Sequence, residues 1–402
     1  MGFKHFNLDS RLVANIGQAK YENPTPIQES AMPIALAGQD LIGTAQTGTG
    51  KTAAFVLPIL NKLLLEPGKG TRALIITPTR ELAEQIHETI SGLKRGTQIR
   101  SISIYGGVGP SSQIKALRSG VDIVVACPGR LLDLMQQGYA RFGNLDILVL
   151  DEADRMFDMG FLHDIKRILK QLPAKRQTLL FSATFPKEIE RLASHTMKQP
   201  KRVSIGLSRP AHTVAHTLYP VAHHLKKGLL LKLLQQTDAE SVLIFTRTKY
   251  RAKGLDKYLA NKGFKVTSLH GNRSQGQRKS ALSGFKKGAY QIMVATDIAA
   301  RGLDIDRISH VINFDMPDTA DAYIHRIGRT GRATRSGEAF TFITPDDQAM
   351  VRKIERIMKQ NLERKTLPEF DYDVAKPDNP KKGRRPRARN RQSRQFKPKQ
   401  RA

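Results

Sequence analysis

Apolar residues along this chain come in short runs of four or five, several of them closed by Gly, Thr, Pro or Asp and leading into amphipathic stretches. Such runs, rich in Ile, Val and Leu and bounded by turn residues, predict parallel strands covered on both faces. In the first half they occupy residues 40–43, 73–77, 101–105, 122–126, 147–150 and 178–181. A second series covers 241–245, 265–269, 291–295, 310–314 and 339–343. Strands alternating with crossover helices predict an α/β fold, in which functional residues gather at the strand ends. Between the two series lies 207–217, with Pro210, Ser208, His212 and His216 and no helical period. It reads as a short linker between a first lobe at 1–206 and a second at 218–370, and 402 residues are enough for two cores.

From 371 to 402 apolar residues become scarce, and that composition predicts a disordered tail. Eleven Lys or Arg and no acid fall within 381–402. Over the whole chain 66 basic residues against 36 acidic give a net charge of +30, which points to a polyanionic partner, nucleic acid ahead of an anionic membrane surface. No apolar run approaches the roughly 20 residues needed to span a bilayer, and residues 1–11 lack an apolar leader segment. The only cysteine, Cys127, excludes an intrachain disulfide and fits a reducing compartment. A cytoplasmic protein without membrane association is expected.

The strongest local signal is Ala45-Gln46-Thr47-Gly48-Thr49-Gly50-Lys51-Thr52, set between a predicted strand and a predicted helix. Glycines let backbone N–H groups close around phosphate oxygens, a lysine reaches the terminal phosphates, and the following hydroxyl can ligate Mg²⁺. Ala45 stands where the general phosphate-loop pattern has glycine. Downstream, the run 147–150 leads directly into Asp151-Glu152-Ala153-Asp154. Alone, such a string is more often a solvated cluster or a helix start. Behind a phosphate loop, Asp151 becomes a candidate Mg²⁺ ligand and Glu152 a candidate base for the attacking water.

With the motifs around them, in order and over about residues 3–365, these residues resemble the DEAD-box RNA helicases, superfamily 2 proteins with two RecA-like lobes. The resemblance implies an adenine-sensing segment at Tyr21-Glu22-Asn23-Pro24-Thr25-Pro26-Ile27-Gln28, with Gln28 on the adenine edge and Tyr21 stacking, so that ATP is preferred. It implies RNA contacts from Pro78-Thr79-Arg80, Gly106-Gly107 and Arg130 in lobe one, each of which in isolation is ordinary turn chemistry. Cys127 stands where the family commonly has threonine. In lobe two, Thr246 of Phe245-Thr246-Arg247, Arg278 of Gln275-x-x-Arg278, and Thr296 are the matching RNA contacts. Ser182 and Thr184 of Ser182-Ala183-Thr184, with Asp154 and His325, correspond to residues that couple nucleotide to RNA. Gly302 and Asp304 correspond to ribose contacts, while Asp297 is otherwise read as a helix cap. Arg329 and Arg332, in His325-Arg326-Ile327-Gly328-Arg329-Thr330-Gly331-Arg332, correspond to arginine fingers.

An RNA-stimulated ATPase is thus implied, using ATP and Mg²⁺ and taking structured or duplex RNA through its backbone, with local rather than processive strand separation. An ATP-gated clamp or assembly scaffold that holds RNA without separating strands would use the same residues. The sequence Asp-Glu-Ala-Asp with the adenine-sensing segment disfavours a DNA-directed enzyme. The ending Leu367-Pro368-Glu369-Phe370 and the basic tail resemble the bacterial RhlE-type group, which implies ribosome-assembly or RNA-decay proteins as partners.

Overall fold

The computed structural model describes residues 2–45, 48–205, 214–237, 239–300, 308–331 and 337–375. Among these, the first half forms a seven-stranded sheet from β1 (Leu41–Thr44), β2 (Ala73–Ile76), β3 (Ser101–Ile104), β4 (Ile123–Ala126), β5 (Ile147–Asp151), β6 (Gln177–Ser182) and β7 (Lys201–Ser204). The second half forms another from β8 (Val214–Pro220), β9 (Val242–Phe245), β10 (Val266–Leu269), β11 (Ile292–Ala295), β12 (His310–Asn313), β13 (Gly337–Ile343) and β14 (Glu363–Arg364). The spatial orders are β3-β4-β2-β5-β6-β1-β7 and β10-β11-β9-β12-β13-β8-β14. Numbered from each lobe's own first strand, both read 3-4-2-5-6-1-7, so the lobes share one topology. Their strand pairs are parallel.

Apolar runs form these strands because both faces are covered. Ala73 and Ile75 of β2 pack with the helix Lys51–Leu65, whereas Leu74 and Ile76 pack on the other face with Leu131, Ile165 and Ile168. All four β2 side chains are fully buried, and burying an aliphatic residue of this size contributes about 2 kcal/mol. In lobe two the alternation recurs, Val242 and Ile244 facing one cluster and Leu243 and Phe245 the other. The helix Lys51–Leu65 is apolar nearly all round because the sheet lies on one side and the helix Pro26–Leu36 on the other.

Three differences from the sequence reading concern segment ends. Residues 214–217, expected in the linker, belong to β8, between β13 and β14. His216 there is half-buried, and burial pushes its imidazole down to about 4. Residues 206–213, the rest of that expected linker, lie outside the described residues. Residues 371–375, expected in the disordered tail, are described, and Tyr372 packs on lobe two, its hydroxyl accepting the Leu367 N–H at 2.8 Å. The basic remainder, 376–402, lies outside the described residues. The edge strand β7 was also not anticipated, since Lys201, Arg202 and Ser204 are exposed and charged edges suit solvent.

Candidate nucleotide and RNA site

The phosphate loop leaves the C-terminal end of β1 and returns as the helix Lys51–Leu65. Ala45 N–H donates to Ser182 O at the end of β6 (3.2 Å), which fixes where the loop starts. Gly50 has φ +91°, and a Cβ there would come within 2.5 Å of Gln28 Nε2, so only glycine fits. Lys51 is buried, its Nζ donating to Ala45 O at 2.7 Å across the loop. Thr52 is half-buried in the first helical turn. Gln46 and Thr47 lie outside the described residues.

Gln28 is buried against this loop. Its Oε1 accepts from Thr25 N–H (2.9 Å) and its Nε2 donates to Gly50 O (3.0 Å). The amide braces the helix start to the phosphate loop, and contact with a base would require exchanging one of these bonds. Tyr21, 37% exposed, lies with its ring 6.3 Å from that of Phe3.

β5 carries the acids to the same edge. Asp151 ends the strand, and Glu152 takes a left-handed backbone conformation (φ +53°), uncommon for a residue with a side chain and costing about 1 kcal/mol or more. That turn starts the helix Ala153–Asp158 and directs the acids to different partners. Asp151 Oδ1 accepts the Glu152 N–H (3.0 Å), and Glu152 Oε2 meets Arg155 Nη1 at 2.6 Å, with both side chains buried. Burial pushes the Asp151 carboxyl up to about 7 despite Lys51, a situation that a bound cation would reverse. Among the described residues no cluster of three or more metal-ligating side chains occurs. A donor set of one carboxylate and one hydroxyl, as Asp151 and Thr52 offer, suits Mg²⁺, which keeps most of its waters and draws other ligands from phosphate.

Asp154 joins two strand ends. Its Oδ2 accepts from Thr184 N–H (2.9 Å) and Thr184 Oγ1 (3.0 Å). Its own N–H donates to Ser182 Oγ (3.1 Å), which in turn donates to Thr184 O (2.7 Å). From the facing lobe, His325 lies within the electrostatic reach of Asp154 and Arg155. Burial, reinforced by Arg155, pushes the His325 imidazole down to about 4. Burial by itself would raise the Asp154 carboxyl, but His325, the Thr184 N–H, Arg155 and Lys51 together hold it below its usual range. A cavity of about 20 Å³, room for one water, lies among Arg155, Asp297, His325, Arg326 and Arg329. Arg329 is buried, its Nε donating to His325 O at 3.3 Å. Gly302, Asp304 and Arg332 lie outside the described residues.

The lobe-one RNA candidates converge. Thr79 caps the helix Arg80–Leu93 by accepting the Leu82 N–H (3.3 Å), and buried Pro78 precedes it. The Arg80 guanidinium lies against Gly107, whose φ of +81° and missing Cβ give it room, with Gly106 alongside. Arg130 Nη2 donates to Val108 O at 3.1 Å, one residue further on. Burial pushes the nearby Cys127 thiol up to about 12. In lobe two, Thr246 and Thr296 follow β9 and β11 directly, Thr246 being fully buried and Thr296 half-buried. Arg278 instead meets Glu81 of lobe one at 2.7 Å, an ion pair between the lobes.

Two arginines escaped the sequence reading. Arg155 is the partner of Glu152, and Arg326 holds Asp297 through two contacts of 2.6 Å. Asp297 is therefore more than the helix cap it resembled. Arg326 stood inside a quoted motif, but its partner lies 29 residues away and no spacing rule connects them.

Residues 25–192 match the DEAD/DEAH box helicase family and 225–334 the helicase conserved C-terminal domain. The chain is 42% identical to the DEAD-box ATP-dependent RNA helicase CshA of Bacillus subtilis over 370 residues, covering 92% of this chain and 75% of that one. It is 43% identical to the RNA helicase CrhR of Synechocystis over 368 residues, covering 91% and 74%. Among solved structures, S. cerevisiae Dbp5 bound to RNA and ADP BeF3 superposes with a TM-score of 0.79 at 29% identity, covering 91% and 95%. The DEAD-box helicase Mss116 bound to ssRNA and UDP-BeF superposes with a TM-score of 0.83 at 27% identity, covering 92% and 80%. With matching strand order, phosphate loop and paired domains, this chain belongs to the DEAD-box ATP-dependent RNA helicases.

Proposed function

We propose that this chain hydrolyses ATP between its lobes to clamp RNA by its backbone, separate short duplexes locally and then let go. The observation that supports this most is the meeting of His325 and Arg329 with Asp154 and Arg155, which sets lobe two against the acids of lobe one. Lys51 and the N–H groups of residues 46–52 receive the phosphates at a helix N-terminus. Tyr21 and Gln28 meet the adenine, and Gly302 and Asp304 the ribose. Thr52 and Asp151 would hold Mg²⁺, which would neutralise charge on the phosphate oxygens. Glu152 takes the proton of the attacking water. Arg329 and Arg332 place positive charge beside the transferring phosphoryl group, so hydrolysis waits for lobe closure. Asp154, Ser182, Thr184 and His325 transmit that closure. RNA lies along Pro78, Thr79, Arg80, Gly106, Gly107, Arg130, Thr246, Arg278 and Thr296, whose contacts to sugar and phosphate carry little sequence information.

A duplex-release assay tests the reading. ATP is expected to free the shorter strand, whereas a non-hydrolysable analogue leaves the chain on the RNA. RNA retention with ATP and no strand released at any duplex length would leave a clamp instead.

Ribosome assembly or RNA decay in the cytoplasm is the setting we propose, and RhlE-type the subgroup. The basic segment 376–402 acts as a tether for structured RNA. Its removal is expected to weaken RNA binding about tenfold or more at low salt and to flatten the salt dependence, since each neutralised phosphate releases counterion. ATP turnover at saturating RNA should persist. Unchanged affinity at both low and high salt would sink the tether.

A further inference from the structure

We propose that a groove on lobe two, between the starts of the helices Lys226–Gln236 and Lys249–Ala260, binds single-stranded RNA beyond the motif contacts, with a base stacked on Tyr250. The proposal rests on the RNA-helicase reading and extends it to a flanking stretch of the bound strand. The groove encloses about 540 Å³, and His223, His224, Lys227, Tyr250, Arg251 and Phe314 line it. Its helices start after the C-terminal ends of β8 and β9, and Phe314 directly follows β12. It therefore opens at the sheet edge that also carries Thr246, contiguous with the backbone contacts assigned above.

Tyr250 is 73% exposed, although Ala252, Leu255 and Leu259 already supply the buried face of its helix. Packing thus gives no reason for an aromatic ring at this position. Its free face is a surface on which any base can stack, and Lys249 Nζ lies 5.4 Å from the ring centroid, where it can meet a phosphate of the stacked nucleotide. Lys227, Arg247, Lys249, Arg251 and Lys253 are all exposed around it. The buried acid next to Phe314, Asp315, is already matched. It accepts the Arg247 N–H at 2.9 Å, pairs with Arg251, and has buried Lys226 at 3.9 Å. Among the described residues neither Lys227 nor Lys249 pairs with a carboxylate, Lys227 Nζ lying 5.6 Å from the Tyr258 ring centroid, and both side chains are exposed. A cluster of cations alone is an ordinary solvated surface. Cations flanking an exposed ring, in a concave site on the edge that holds the RNA motifs, select a phosphate-linked base over a plain anion or an acidic peptide.

The test is the affinity of the full chain for oligouridines of increasing length, at fixed salt with a non-hydrolysable ATP analogue. Unmodified protein is expected to show a step in affinity once the strand outgrows the motif contacts. Tyr250→Ala should abolish the step, weakening long strands about tenfold and leaving short ones unchanged, and Tyr250→Phe should restore it. Lys227→Ala with Lys249→Ala should lower the salt slope for long strands by about 1.4, roughly 0.7 per phosphate. A series without a step, a step that survives Tyr250→Ala, or an equal loss at every length overturns the proposal. The helicase reading fails separately, if RNA of any length leaves ATP turnover of the unmodified chain unstimulated.

Discussion

Glu152→Gln is expected to bind ATP within about threefold of the unmodified chain while its RNA-stimulated turnover falls by about 10²- to 10⁴-fold, the range for loss of a general base. The two side chains are nearly isosteric, so the left-handed backbone at this position and the Asp151–Glu152 backbone bond should persist. What changes is the charge. An amide cannot take a proton from water, and it leaves the Arg155 guanidinium, 2% exposed, without its carboxylate. One neutral hydrogen bond can replace that ion pair, so a stability loss of about 1–3 kcal/mol is expected as well. Thermal unfolding would report that loss separately, because a merely destabilised enzyme regains its full rate on cooling. Single-turnover hydrolysis at saturating RNA, alongside a nucleotide titration, checks the assignment. A rate equal to the unmodified chain would move the base to another residue.

The strands at the centres of both sheets were legible because their burial is complete on both faces, as for Ala73–Ile76 and Val242–Phe245. No compromise with solvent blurred those apolar runs. Legibility failed where burial comes from neighbours and not from the residue's own character. His216 and Thr217 look like linker residues, yet both pair with β13, Thr217 also with β14, and they are part of a strand. At the site, residue types and their order were visible, since phosphate chemistry restricts what can stand at the end of a strand. The partners were not. Glu81 meets Arg278 across 197 positions of sequence, and the Gln28 amide is used on the phosphate loop, contacts that depend on how helices and lobes are placed and leave no periodic trace.

The second large effect concerns Arg326, which connects three strand ends beneath the helix Ala320–Ile327. Its side chain is 2% exposed, with Nε and Nη2 each 2.6 Å from the Asp297 carboxylate. Nη1 donates to Asn313 Oδ1 (3.1 Å) and to Asp315 O (2.7 Å), and the guanidinium lies 5.0 Å from the Phe245 ring centroid. Arg326→Ala would strand a carboxylate and two buried acceptors at once, a change that typically costs 3–5 kcal/mol. For a lobe of this size that corresponds to a fall of roughly 10 °C in the melting of lobe two, with lobe one unaffected. Arg326→Lys should recover only part of it, because a single ammonium cannot reproduce the two-pronged contact with Asp297 while also reaching Asn313. Scanning calorimetry of the full chain reads both changes. If the lysine variant melts like the unmodified chain, charge alone matters here and the planar geometry does not. If the alanine variant shifts by less than about 2 °C, Arg326 is not a structural tie. A fall in the predicted range would show that Arg326 fixes the end of the helix Ala320–Ile327, which carries His325 and, two residues past its last turn, leads to Arg329, the two groups that meet Asp154 and Arg155 of lobe one.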